Sequence, residues 1–131
     1  FEFQKLLPNL EIRGLDISDY AIENAKPEIK KNLVQGHANK LPFKNDYFDY
    51  VFSLNTLHNL YCFDLKLALQ EIERVGKKNK YICVESYRNE HERINLLYWQ
   101  VTCECFFTPD EWKWWFEQSS YSGDYSFIYF E

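Results

Sequence analysis

The stretch EIRGLDISDYAIENAKPEIKKNLVQG, residues 11–36, decides the fold. Residues 11–17 read as a strand, and Ser18 and Asp19 are both good helix N-caps. Ile22, Ala25 and Ile29 then recur at helical spacing along one face. Pro27 ends or bends that helix early, and Leu33 to Gly36 is a second short strand. Strand, helix and strand in so short a space make a βαβ unit, which places the two strands parallel.

Outward from this unit the alternation continues. Phe48 to Leu54 is a third strand, apolar enough to expect burial on both faces. Leu65, Ala68, Leu69, Ile72 and Val75 form a helical stripe that stops at Gly76 in the manner of a glycine C-cap. Tyr81 to Val84 is a fourth strand of β-branched and aromatic residues. The predicted class is α/β with right-handed crossovers and a mainly parallel sheet. Beyond Glu85 the spacing predicts a helix over 94–107, with Ile94, Leu97, Tyr98 and Val101 on one side. Thr108, Pro109 and Glu111 then signal a capped helix start, with Trp112, Trp115 and Phe116 sharing a face. Residues 119–124 read as a turn and 125–131 as a terminal strand.

Composition narrows the function. The 131 residues carry 15 Lys/Arg against 20 Asp/Glu, a formal charge of −5. The basic clusters, Lys30-Lys31 and Lys77, Lys78 and Lys80, are too short to follow a phosphate backbone, so no nucleic-acid partner is expected. No apolar run reaches the ~20 residues of a membrane span, and no signal peptide opens the chain, so a cytoplasmic protein is expected. Four cysteines without a C-x-x-C argue for reduced thiols rather than a zinc site, and no metal is expected. With only four glycines, widely spaced, and no Met, the chain reads as a piece of a longer polypeptide that lacks a Gly-rich phosphate loop.

In an open parallel sheet, ligands sit beyond the carboxyl ends of the strands. Asp16, Gly36-His37-Ala38, Leu54-Asn55-Thr56 and Glu85-Ser86 stand there. Asp16 is placed to accept ribose hydroxyls, or else merely opens the following helix. The order of GLDIS (14–18), VQGHANKLPF (34–43), FDYVFSLNTLHNL (48–60) and ALQEIERV (68–75) resembles the class I S-adenosylmethionine-dependent methyltransferases, closest to small-molecule enzymes with G-D-A-x-x-L-P-F and F-D-x-V motifs. The resemblance covers residues 5–87 and implies a Rossmann-like sheet from which the first strand and its Gly-rich loop are missing.

It further implies roles. Asp16 would bind the ribose and Ile17 pack on adenine. His37 stands where the family has Asp and would accept from the adenine amino group through a neutral nitrogen, and the Ala38 amide would meet the adenine edge. Asn55 would face the methionine part of the cofactor or the acceptor. Only an acceptor protonated at neutral pH needs a general base, for which His58 leads His91, Glu85 and Tyr87. Tyr87, Tyr98, Trp99 and Trp114 are acceptor-pocket candidates, while Trp112, Trp115 and Phe116 read as core. The expected organisation is one partial methyltransferase domain, with 1–87 binding S-adenosylmethionine and 88–131 on the acceptor side. The open sheet edge could pair with another chain. The alternatives are a non-catalytic scaffold or partner subunit, and a nicotinamide enzyme, which lacks any Tyr-x-x-x-Lys here.

Overall fold

The computed structural model describes residues 2–131. In chain order the elements are α1 (Glu2–Leu6), β1 (Gly14–Asp16), α2 (Asp19–Glu23), α3 (Pro27–Lys30), β2 (Leu33–Gln35), β3 (Phe48–Leu54), a 3-10 turn (Leu57–Asn59), α4 (Cys62–Val75), β4 (Gly76–Glu85), α5 (Glu90–Trp99), α6 (Pro109–Gln118) and β5 (Asp124–Ile128). Ser18 caps α2 by accepting from the Ala21 amide at 3.2 Å. Pro27 opens α3 at its first turn, so the expected single helix is two short ones with the bend where the ring demands it.

Every strand pairing is parallel. β1 pairs with β2 in the register Gly14 to Leu33 and Asp16 to Gln35. β3, β4 and β5 form a second sheet in that order, with β4 central. Among the described residues β1 pairs only with β2, and β3 is bonded on one side only, by β4. Helices connect the paired strands, as crossovers between parallel neighbours require. The fold is a Rossmann-like α/β arrangement.

The core lies between α4, β4 and α6. All five stripe residues of α4 are buried. Leu65, Ala68, Leu69 and Ile72 pack with Ile82 and Val84 of β4 and with Trp112 and Phe116 of α6. Burying side chains of this size contributes about 1.5–3 kcal/mol each, which is what holds α4 on the sheet. Trp112 also donates its indole N–H to the Glu85 carbonyl at 3.0 Å, so its one polar atom is satisfied in the dry interior. The capping box of α6 is present in full, with Thr108 and Glu111 exchanging hydrogen bonds.

Four expectations are corrected. Gly76 does not end α4 in a left-handed turn; its φ of −91° and ψ of 131° make it the first residue of β4. β4 therefore begins five residues before the apolar run at Tyr81, because its polar start is held by side chains: Lys77 pairs with Asp49 at 2.7 Å and Lys80 with Glu73 at 3.0 Å. The helix expected over 94–107 occupies Glu90–Trp99 instead. Beyond it the backbone is drawn away, as the Glu104 and Cys105 amides both donate to the His58 carbonyl at 2.9 Å. Its buried positions are Glu92 and Leu96, whereas Ile94, Leu97, Tyr98 and Val101 are exposed. Glu92 tolerates burial because it accepts from the Arg88 amide at 2.7 Å and from its guanidinium. Lastly, β3 is covered on one face only, since Tyr50, Phe52 and Leu54 are exposed. Among the described residues no helix is long and apolar enough to cross a membrane.

Candidate functional site

The site begins with two short hydrogen-bonded turns. The Asp16 carboxylate accepts from the Ser18 amide at 2.9 Å, which turns the chain from β1 into α2. The Gly36 amide donates to the Asp16 carbonyl at 3.0 Å, which brings the turn after β2 against the end of β1. A Cβ at Gly36 would stand 3.0 Å from the Leu15 side chain, so glycine allows this close approach.

These two turns line one cavity of about 410 Å³. Leu15, Asp16 and Ile17 form one wall and Gly36, His37 and Ala38 another. The opposite wall is β3 from Phe48 to Leu54 with Thr56, Leu57 and Leu60 of the following turn, and Ile72 and Val75 of α4 also line it. The cavity therefore lies between the unpaired side of β1 and that of β3, mostly apolar, with polar groups near the strand ends. Its apolar lining runs the length of β3, and its polar groups Asp16 and His37 stand at the carboxyl ends of β1 and β2.

His37 shows a geometry not expected from sequence. Its Nδ1 accepts from the Asn39 amide at 3.3 Å. In a neutral imidazole the proton then resides on Nε2, so the free nitrogen is a donor and not the acceptor expected in place of Asp.

The 37–45 segment is fixed from behind by the polar side of α4. Asn39 donates to Asp64 at 2.6 Å, and the Leu41 amide donates to Glu71 at 2.7 Å. Arg74 donates to the carbonyls of Phe43 at 2.8 Å and Leu41 at 3.0 Å while pairing with Glu71. The Arg74 hydrogen bond holds the Glu71 carboxyl below its usual range against the opposing effect of burial. The ALQEIERV stretch thus contains a clamp on the LPF segment, a role that its helical periodicity does not show. The Glu71/Arg74 spacing of three was the available signal.

The remaining site candidates lie elsewhere. Asn55 takes φ 52° and donates its amide to the Cys83 carbonyl at 3.0 Å. It does not line the cavity, where its neighbour Thr56 does. His58 is fully buried in the core behind that wall. Its Nδ1 faces the Glu85 amide at 3.5 Å, and its Nε2 faces the Glu85 carboxylate at 3.5 Å without closing a hydrogen bond. Burial pushes His58 down to about 4 and Glu85 up, the latter opposed by Gln100 donating at 2.6 Å. A base for a cavity-bound acceptor needs to reach it, and neither residue lines the cavity.

Tyr87 is half-buried and Tyr98, Trp99 and Trp114 are exposed, none of them at the cavity. Trp99 stacks on Phe130 at 6.0 Å and Trp114 meets Trp115 edge-on at 5.1 Å. His91 is exposed beside Asn95 on α5. The structure thus brings together Asp16, Ile17, His37 and Ala38, and separates them from Asn55, His58 and the four aromatics.

A family described as a methyltransferase domain matches residues 1–120. A demethylmenaquinone methyltransferase of Bacillus cytotoxicus is 32% identical over 109 residues, which cover 76% of this chain and 45% of that protein. One from Staphylococcus haemolyticus is 38% identical over 81 residues, 58% of this chain and 33% of that protein. The chain thus spans less than half the length of these two curated relatives. Among solved structures, the YcgJ protein of Bacillus subtilis shares the fold with a TM-score of 0.64 at 22% identity, over 83% of this chain and 51% of that one.

Proposed function

The chain belongs to the methyltransferase domain family, and from that premise we propose that it supplies the adenosyl-binding part of an enzyme moving a methyl group from S-adenosylmethionine to a small-molecule acceptor. The observation that carries the reading is the meeting of Asp16 and the 36–38 turn at the carboxyl ends of β1 and β2, on the rim of the cavity. The donor set fits the cofactor. Asp16 has one oxygen engaged by Ser18 and offers the other to the ribose hydroxyls. Ile17, more than half exposed, offers an apolar surface to the adenine face. His37 donates Nε2–H to a ring nitrogen of the base, and the Ala38 amide meets the same edge.

S-adenosylmethionine brings an activated sulfonium methyl, so the protein's task is to hold nucleophile and methyl close and in line. Asp16 fixes the ribose, and the clamp of Glu71 and Arg74 keeps the base-side turn in place. The relatives' names make a demethylated quinone the first acceptor to assay.

Calorimetric titration with S-adenosylmethionine and with S-adenosylhomocysteine, on the chain with an upstream Gly-rich loop restored, tests the reading. Asp16→Ala loses charge-assisted hydrogen bonds to the ribose, and its affinity is expected to fall by about 1–3 kcal/mol, or roughly 5- to 150-fold. Unchanged affinity removes Asp16 from the site. The 131 residues alone are expected to bind weakly, and a chain with the upstream loop restored that binds neither cofactor form favours the non-catalytic scaffold.

A further inference from the structure

Two thiols far apart in sequence meet beside the cavity wall. Cys62 is the first residue of α4 and is exposed, while Cys105 is buried in the segment that follows α5. Their sulfurs are 4.0 Å apart. We propose that Cys62 and Cys105 are an oxidative modification site, forming a reversible disulfide that staples the 57–62 turn to the 102–105 segment.

The local structure already holds these two segments in register. Thr102 donates to the Asn59 side chain at 2.9 Å, the Glu104 and Cys105 amides donate to the His58 carbonyl at 2.9 Å, and the Cys105 thiol donates to the Leu60 carbonyl at 2.9 Å. A disulfide bond is about 2 Å long, so closure needs about 2 Å of approach between the two sulfurs. Cys103 is also buried and Cys83 half-buried, and only the 62–105 pair is in sulfur–sulfur contact among the described residues.

Exposure sets the order of events with a peroxide oxidant. The Cys62 thiolate attacks hydrogen peroxide, the O–O bond breaks, and the departing hydroxide takes up the proton the thiol had released, leaving a sulfenic acid and one water. The Cys105 sulfur then attacks that sulfenic sulfur, the S–O bond breaks, and a second water carries off the hydroxyl and the Cys105 proton. The protein has lost two hydrogens and the peroxide has been reduced to two waters. Burial pushes the Cys105 thiol up, so this second step is the slow one. A dithiol reductant reverses the reaction by exchange.

The consequence reaches the cavity because Thr56, Leu57 and Leu60 of its wall stand on the stapled turn. The test is peroxide titration of the reduced protein, followed by thiol counting, peptide mapping without reductant and thermal melting. Free thiols are expected to fall from four to two, with one cross-linked peptide pair joining Cys62 to Cys105, a mass loss of about 2 Da and a raised melting temperature, all reversed by dithiothreitol. The exposed-site variant Cys62→Ser is expected to keep the fold, form no cross-link and show no oxidant-dependent rise. A cross-link through Cys83 or Cys103, a disulfide between two chains, or over-oxidation of Cys62 without pairing each overturns the proposal.

Discussion

The buried pair of His58 and Glu85 should make stability depend on pH in a way one substitution can isolate. His58 is held neutral by burial down to about pH 4, against 6.5 for the free side chain. As pH falls through 6.5 the unfolded chain takes up a proton that the folded chain refuses, so stability present above 6.5 is lost on the way to about 4. At about 1.4 kcal/mol for each tenfold difference in proton affinity, the loss approaches 3 kcal/mol. Glu85 works in the opposite sense. Its folded carboxyl is raised, so the penalty for its buried charge is relieved as pH falls, which partly masks the His58 decline in the wild type. His58→Asn removes the titrating group but leaves an oxygen near the position of Nδ1 to accept from the Glu85 amide. Urea unfolding followed by tryptophan fluorescence, at several values between about pH 7 and about pH 4, gives the comparison. The wild-type advantage over the variant is expected to shrink by about 3 kcal/mol across that range. Parallel stability curves would refute a neutral His58 in the core.

Other perturbations separate structural from site roles. Thr108→Ala removes the side-chain half of the α6 capping box, leaving the Thr108 amide bonded to Glu111, and should cost about 1 kcal/mol in denaturant unfolding, with no change in cofactor affinity. Arg74→Met frees the Leu41 and Phe43 carbonyls while α4 stays packed; faster hydrogen exchange confined to residues 39–47, with weaker S-adenosylhomocysteine binding, is expected. Global destabilisation with no local opening would place Arg74 in the fold rather than at the site.

Where local signals agreed with the tertiary environment, the sequence was readable. The α4 stripe, the Thr108 cap and the paired ends of β1 and β2 each follow from residues close in the chain. The helix expected to run to Phe107 fails because bonds from 104 and 105 to His58 cross more than forty positions. The polar beginning of β4 was hidden because Lys77 and Lys80 are held by Asp49 and Glu73, partners that periodicity does not reveal. At the site, Asp16 and His37 were findable from the strand ends. The direction of the His37 hydrogen bond was not, since it depends on Asn39 two residues on. The aromatic residues misled because large rings suit a pocket wall and an exposed helix face equally well; Tyr98 and Trp99 sit on the latter.

The direct passage from Val75 of α4 into Gly76 of β4 has a mechanical consequence. With no connecting loop, the best-buried helix and the central strand are expected to move as one lever, and a side chain at Gly76 would press on Val51 and Lys80. Breathing of the molecule is therefore expected at the other side of the cavity, where β1 and β2 pair only with each other among the described residues and neither holds a fully buried residue. A ligand taken up there is expected to draw this lighter pair of strands toward the stiffer frame.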